Sequence, residues 1–399
     1  MTSKYEQFGA SATKTGVHSA LEQAGAFQCH SLFASITNDI AKRSDYASFL
    51  HCDGAGTKSI AAYLLFKETG SYNSFAGLAQ DALVMNLDDV FCIGQPDTLL
   101  LSNLIARNAR LIDNTVISTL ISSYYNLIKQ LSDLGIHIEL GGGETADCGD
   151  VVRTLLVDAV LTGSIKRNNL ISTDAIKTGD TIIGLSSTGQ TTYESAPNSG
   201  IGSNGLTLAR HALLNNKYID EFPEVCAFET SQKGTHSNIM YQGPFCATDF
   251  NNELNMSIGE ALTSPTRTYS PVLAHIYKEL GENIHGVIHC TGGGQTKVIR
   301  FGKGCRYVKD SLFPIPPIFK LIQQHGQVSW KEMYQVFNMG HRMELYTPQE
   351  CVKTIVNIAS NYNLEAKQIG HVEKNNSQLK ESSNEVIIIS NNETYSYTL

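Results

Sequence analysis

Six consecutive positions, Asp53 to Lys58 (DGAGTK), hold a carboxylate, two glycines, a hydroxyl and an ammonium group, soon after the apolar-leaning run Tyr46 to Leu50. Those residue types suit phosphate. Gly54 and Gly56 let backbone N–H groups approach an anion, Thr57 adds a donor, Lys58 offsets negative charge, and Asp53 can hold a divalent cation. Two standard phosphate loops are excluded. A Walker-type loop needs glycine directly before the lysine, where Thr57 stands, and the dinucleotide fingerprint needs a third glycine where Ser59 stands. Taken alone, the stretch reads equally well as a tight turn after a strand, because glycine supplies positive φ wherever a chain reverses.

Three more glycine turns follow: Gly141-Gly142-Gly143 with Glu144 and Thr145, Gly200 to Gly205 with Ser203 and Asn204, and Thr291-Gly292-Gly293-Gly294. Backbone N–H groups at such places converge on anions, helped by the positive end of a helix dipole. A second signal is QDALVMNLDDV, residues 80 to 90. On a helix, Asp81, Met85 and Asp88 share one face and Asp89 lies about 80° further round. Two acids roughly 10 Å apart do not bind one ion alone, but they can hold metal bridged by phosphates. A solvated acidic face is the competing reading. Arg267, in SPTRTY, suits a phosphate clamp or an ordinary helix-start ion pair equally. Lone histidines at 51, 137, 211 and 285 more often satisfy local hydrogen bonds; His289 stands apart because it abuts a glycine turn at a strand end.

These groups need elements to position them, and the pattern is α/β. Ile117, Leu120, Ile121, Tyr124, Leu127, Ile128 and Leu131 recur at helical spacing within 113–131, Gly135 ends that helix, and Ile136 to Leu140 reads as a strand. The polar stretch 164–178 marks a boundary before a fresh strand at Thr181 to Leu185, which predicts domains over 1–168 and 175–399. A helix follows Gly205, Ser264-Pro265 and Ser270-Pro271 each read as a helix start, and Val287 to Cys290 and Val386 to Ile389 read as strands. Residues 225–255, mixed and aperiodic, read as a long surface excursion of the kind that forms lids.

Bulk properties narrow the class. At 399 residues with 42% hydrophobic, the chain can bury a large core, and its net charge of −8 argues against broad nucleic-acid binding. Nine cysteines without a C-x-x-C spacing suggest reduced thiols in the cytoplasm. No apolar run approaches the ~20 residues of a membrane helix, so a soluble protein is expected.

Seven motifs in this order resemble the phosphoribosylformylglycinamidine cyclo-ligase (aminoimidazole ribonucleotide synthetase) family: DGAGTK at 53–58, D-x-x-x-M at 81–85, GGETAD at 142–147, SNGLTLAR at 203–210, SPTRTY at 264–269, H-x-TGGG at 289–294 and EMYQVFNMG at 332–340. The resemblance implies two α/β domains, the N-terminal sheet pairing with its mate across a homodimer. It implies ATP-dependent closure of the imidazole ring of formylglycinamidine ribonucleotide in purine synthesis, giving aminoimidazole ribonucleotide, ADP and phosphate. Lys58 and Asp81 are then the catalytic pair, and Lys58→Ala should depress turnover with the fold intact. ATP phosphates fall to Asp53, Gly54, Gly56, Thr57, Lys58, Gly142, Gly143, Glu144, Thr145, Ser203, Asn204 and Gly205. The ribonucleotide falls to Arg267, His289 and Thr291 to Gly294, and Mg²⁺ to Asp53, Asp81, Asp88, Asp89 and Glu144.

The chain departs from the family pattern in places. Gly202 stands where a histidine usually precedes Ser-Asn-Gly, TTYESAPNS is an extra stretch, Asp88 replaces an asparagine, Ser102 replaces an aspartate, and Gly340-His341-Arg342-Met343 replaces a glycine-rich segment. His341, Lys297 or the excursion is expected to substitute for the missing imidazole. Two rivals stay open: another enzyme of the superfamily, such as a selenophosphate synthetase or thiamine-monophosphate kinase, and a non-catalytic nucleotide-binding paralogue. Selenide chemistry wants a reactive cysteine in a glycine-rich N-terminal loop, and Cys29 in AFQCHSLF is nothing like it.

Overall fold

A computed structural model describes residues 3–12, 15–24, 31–226, 239–375 and 383–398. Cys29 lies outside them. Strands β1 (Ile36–Asn38), β2 (Tyr46–Gly54), β3 (Thr98–Arg107), β4 (Glu139–Asp147) and β5 (Leu155–Lys166) form one sheet in the order β1-β2-β5-β3-β4. The helices Lys58–Thr69, Asn73–Phe91 and Asn114–Asp133 belong to the same half of the chain. In β5, Leu155, Val157, Ala159 and Leu161 are buried while the residues between them are half-buried, the period-2 pattern of a sheet covered on one face.

Two single turns, Arg167–Asn169 and Thr173–Ala175, carry the chain into a second sheet. Its strands are β6 (Thr181–Ser186), β9 (Gly286–His289), β10 (Cys305–Lys309), β11 (His341–Thr347), β12 (Ala366–Lys374), β13 (Glu385–Ser390) and β14 (Glu393–Thr398), in the order β14-β13-β10-β12-β6-β11-β9. A small hairpin, β7 (Phe250–Asn251) with β8 (Met256–Ser257), stands apart from both sheets. Every residue of β6 and β11 is buried, so these strands read as continuous apolar or tightly bonded runs instead of alternating ones.

The helix expected over 113–131 is Asn114–Asp133, capped by Asp113, whose Oδ1 accepts from Thr115 N at 2.8 Å and Val116 N at 3.2 Å. Residues 80–90 are the second half of the Asn73–Phe91 helix. Three local expectations need correction. Residues 141–145 are not a turn after a strand but the middle of β4, an exposed edge strand parallel to β3. Gly142 takes φ +106°, and a Cβ on Gly143 would stand 2.1 Å from Asn103 Oδ1, so glycine is what lets this strand stay paired past a register shift at Leu101/Asn103.

Ser264-Pro265 starts no helix. Ser264 caps the C-terminal end of Ile258–Thr263, and an irregular segment runs on to Ser270, where the Ser270–Leu280 helix begins with proline in its first turn. Of the expected excursion, residues 227–238 lie outside the described residues. Met240, Tyr241, Ala247 and Leu254 are buried in the core, so the described remainder is packed structure.

Candidate active site

The Asn73–Phe91 helix lies against the 264–269 segment, and its acids explain why. Asp81 Oδ1 accepts from Lys58 Nζ at 2.7 Å, Thr266 N at 2.8 Å and Ser203 Oγ at 3.1 Å. Two turns on, Asp88 accepts from Thr268 Oγ1 at 2.7 Å and Tyr269 N at 3.1 Å. Seven helical residues rise about 10 Å, the length of roughly three extended residues, so Asp81 and Asp88 match the spacing of Thr266 and Tyr269. Both acids are fully buried, so the acidic face is neither solvated nor open to solvent: it bolts the two halves of the chain together. Burial pushes the Asp88 carboxyl up from its ordinary value.

Lys58 is fully buried at the start of its helix, with Nζ also donating to Ser264 O at 2.6 Å. Burial pushes its ammonium down, against the opposing charge of Asp81. Lys58 and Asp81 are thus brought together as a buried ion pair across the seam. Asp81 Oδ2 is buried and has no partner among the described residues.

Asp89 points elsewhere. Its Oδ1 meets His289 Nδ1 at 2.6 Å and its Oδ2 meets His51 Nε2 at 3.3 Å. Burial would raise its carboxyl, but the bonds from His289 and His51 outweigh this and hold it well below the carboxylate range. Arg342 Nε donates to His289 Nε2 at 3.1 Å, and a guanidinium has no acceptor to offer, so the proton of His289 sits on Nδ1. On His51, Nδ1 meets Asn86 Oδ1 at 2.9 Å. Asn86 Nδ2 faces the Ala82 and Ala159 carbonyls at 2.8 and 3.1 Å, which fixes its oxygen as acceptor. Both nitrogens of His51 therefore donate.

Burial opposes the charge of His51, but the Asp89 carboxylate prevails and lifts the imidazole pKa to about 9 from an ordinary 6.5. A pKa raised by folding stabilises fully below 6.5 and loses that contribution as pH rises through about 9. Unfolding by urea should show a loss of about 2–3 kcal/mol between pH 6 and 10 that His51→Gln abolishes. An equal loss in both proteins would refute the assignment.

Arg267 is a correction. It is 1% exposed, and all five of its donors are taken. Nε and Nη2 grip Glu194 at 2.9 and 2.6 Å, Nη1 donates to Ser186 O and Thr188 O at 3.0 and 2.8 Å, and Nη2 also reaches Gly189 O at 2.8 Å. Nothing is left for a phosphate. Glu194 comes from the extra stretch, so Arg267 anchors that loop.

Three of the four glycine segments meet at the seam. Thr57 Oγ1 lies 3.0 Å from Thr207 Oγ1, tying 53–58 to the helix that follows Gly205. Asn204 Oδ1 lies 4.0 Å from where a Gly292 Cβ would stand, bringing 200–205 beside 291–294. Gly292, Gly293 and Gly294 all take positive φ, and the first two line a cleft with Thr296, Lys297 and Arg300. Thr291, which precedes them, is buried. The fourth segment, with Glu144 and Thr145, stays on the exposed edge of the first sheet.

The five expected metal ligands do not converge: among the described residues no three of Asp53, Asp81, Asp88, Asp89 and Glu144 bring donor atoms within 4.8 Å of one another. Asp88 and Asp89 are held by protein partners. A carboxylate absent from the expectations is Asp158 on β5, which pairs with Gly54; a Cβ there would stand 1.7 Å from its Oδ1. Burial, then the charge of Asp53, pushes the Asp158 carboxyl up. The one group of three that meets among the described residues, Cys290, His341 and Glu344, already has a cation, because Lys309 Nζ bonds Glu344 Oε1 and lies 2.6 Å from Gln295 O.

Two α/β domains with glycine-rich turns and a buried charged seam between them define a two-domain α/β protein. Residues 35–165 match the family model for AIR synthase related protein, N-terminal domain, and residues 177–380 that for its C-terminal domain. The chain belongs to the AIR synthase related protein family. It is 30% identical over 335 residues to a phosphoribosylformylglycinamidine cyclo-ligase of Methanococcus vannielii, covering 83% of this chain and 79% of that one. It is 27% identical over 333 residues to the one of Methanocaldococcus jannaschii, covering 82% and 79%. Among solved structures, AaThiL complexed with AMPPCP and TMP matches with a TM-score of 0.53 at 11% identity, covering 96% of this chain and 95% of that one. A thiamine monophosphate kinase from Aquifex aeolicus gives 0.51 at 11% identity, covering 93% and 94%. These likenesses establish the fold.

Proposed function

We propose that the protein closes the imidazole ring of formylglycinamidine ribonucleotide at the expense of ATP, releasing aminoimidazole ribonucleotide, ADP and phosphate. The observation that carries this reading is the 30% identity to a named cyclo-ligase along 79% of its length. A formyl oxygen is a poor leaving group. Transfer of the ATP γ-phosphoryl group to it makes it one; an amidine nitrogen then attacks the carbon, the C–O bond breaks, and phosphate leaves. Phosphoryl transfer is mainly positioning and charge neutralisation. The turns at 54–57, 200–205 and 291–294 supply backbone N–H groups to the two nucleotides. Lys58 and Asp81 act as positioning residues that hold the turns in register, and His289, expected to touch the ribonucleotide, is instead buried with both ring nitrogens bonded to Asp89 and Arg342 and acts as a positioning residue too.

Mg²⁺ fits the residues present. The charge of Asp53 adds to burial in raising the cost of ionising Asp158, a cost that a divalent cation held by these two carboxylates would offset. When bound, the ion neutralises phosphate charge. Purified protein given ATP, Mg²⁺ and formylglycinamidine ribonucleotide should release one aminoimidazole ribonucleotide per ADP. ATP hydrolysis without that product would reject the reading.

A homodimer is part of this reading, supported by the first sheet, which exposes Leu50 at 68%, Leu100 at 42% and Leu104 at 36%. Leu50→Glu with Leu100→Glu should shift the protein from twice 43.6 kDa to a single copy in light scattering. A dimer that survives both charges would place the interface elsewhere. Among the described residues no helix is long and apolar enough to cross a membrane; we assign the protein to the cytoplasm, where its purine substrates arise.

A further inference from the structure

Position 202, where a histidine is expected from the resemblance and glycine stands, faces a group not singled out from sequence. Arg342 is 1% exposed at the start of β11. Its Nε donates to His289 Nε2 at 3.1 Å, its Nη2 to Arg267 O, and its guanidinium carbon lies 5.2 Å from the centre of the Tyr269 ring. Its Nη1 has no partner among the described residues. A guanidinium nitrogen carries two N–H donors, and leaving a charged donor buried and unmet is costly unless something else meets it.

What faces Nη1 is the glycine loop. A Cβ on Gly202 would stand 3.3 Å from Arg342 Nη1 and 3.9 Å from Asn338 Nδ2, so with glycine at 202 no side chain from the loop reaches the buried, unpartnered Nη1. Gly200, Gly202 and Gly205 all take positive φ. His341, expected to replace the lost imidazole, does not do so: its Nε2 bonds Glu344 at 2.9 Å, beside a register shift in β11 between His341 and Met343. Lys297 belongs to the cleft beside Gly293 instead.

We propose that Nη1 of Arg342 is an anion contact of the ligand site, binding a phosphate oxygen brought against it by the Gly200–Gly205 loop in the place of the imidazole missing at 202. The proposal rests on the nucleotide reading above and names the group that reading lacked. The oxygen belongs to ATP or to the ribonucleotide 5′-phosphate.

The test is the thermal stabilisation of the full chain by three separate probes: inorganic phosphate, ATP with Mg²⁺, and ribose 5-phosphate. The stability without probe reports any structural cost, and the probe-dependent rise reports the contact. In Arg342→Gln the affinity for inorganic phosphate should fall at least tenfold, with Arg342→Lys intermediate. Whichever of ATP and ribose 5-phosphate shares the loss is the source. Should Arg342→Gln fail to fold, Gly202→Asn reads the same contact from the other side, because asparagine tolerates positive φ and its amide would occupy Nη1. The same tenfold loss is expected. Unchanged affinities in the variants, or a wild type indifferent to all three probes, overturn the proposal. Ring closure with Arg342-independent binding sinks this contact alone, whereas Arg342-dependent binding without ring closure sinks the cyclo-ligase reading alone.

Discussion

Lys58→Met is expected to destabilise the folded chain by about 3–5 kcal/mol, and Lys58→Met with Asp81→Asn by much less. The reason is the state of what remains. Lys58 and Asp81 are both 0% exposed, so removing the ammonium strands a carboxylate where water cannot solvate it. Asparagine at 81 removes the stranded charge and keeps the oxygen that Thr266 N donates to at 2.8 Å, so most of the loss should return. This amends the expectation that replacing Lys58 spares the fold: activity falls too, but the variant must be assayed well below its lowered melting temperature. Chemical denaturation of both single variants and the double variant measures the coupling directly. A Lys58→Met protein within about 1 kcal/mol of wild type would mean that the pair is not buried in solution.

Arg267→Gln carries the second large effect, again about 3–5 kcal/mol. Glu194 would lose both guanidinium bonds, and the carbonyls of Ser186, Thr188 and Gly189 would each lose one of two donors, keeping Tyr269 OH, Ser186 Oγ and Asn198 N. Arg267→Lys should be nearly as damaging, because one ammonium cannot reproduce a fork that bonds a carboxylate and three carbonyls at once. The competing view, in which Arg267 clamps substrate phosphate, expects normal stability and a raised KM. Measuring unfolding free energy beside KM separates the two, and a wild-type melting curve with a raised KM would reinstate the clamp.

The Lys58–Asp81 pair separates what is local in this chain from what is not. Helix 113–131 was legible because its apolar spacing and the Gly135 stop are local. The acids of 80–90 were placed correctly on one helix face, yet their role was not, since nothing near them in sequence announces that Thr266 and Tyr269 lie opposite. Asp158 was missed because a lone acid in the strand LLVDAVLTG looks like an outward-facing residue until Gly54 is found across from it. Arg342 is not legible in the sequence, because it sits at a register shift in β11 between His341 and Met343 that no local spacing announces, and only the fold brings it against Gly202.

From its sequence alone the chain fixed its class, its glycine-rich segments and its family, because those depend on residue order and local spacing. Which donors and acceptors would meet was left to the tertiary structure. A buried charge takes its role from whatever partner the fold places within about 3 Å, and such partners are often one or two hundred residues away.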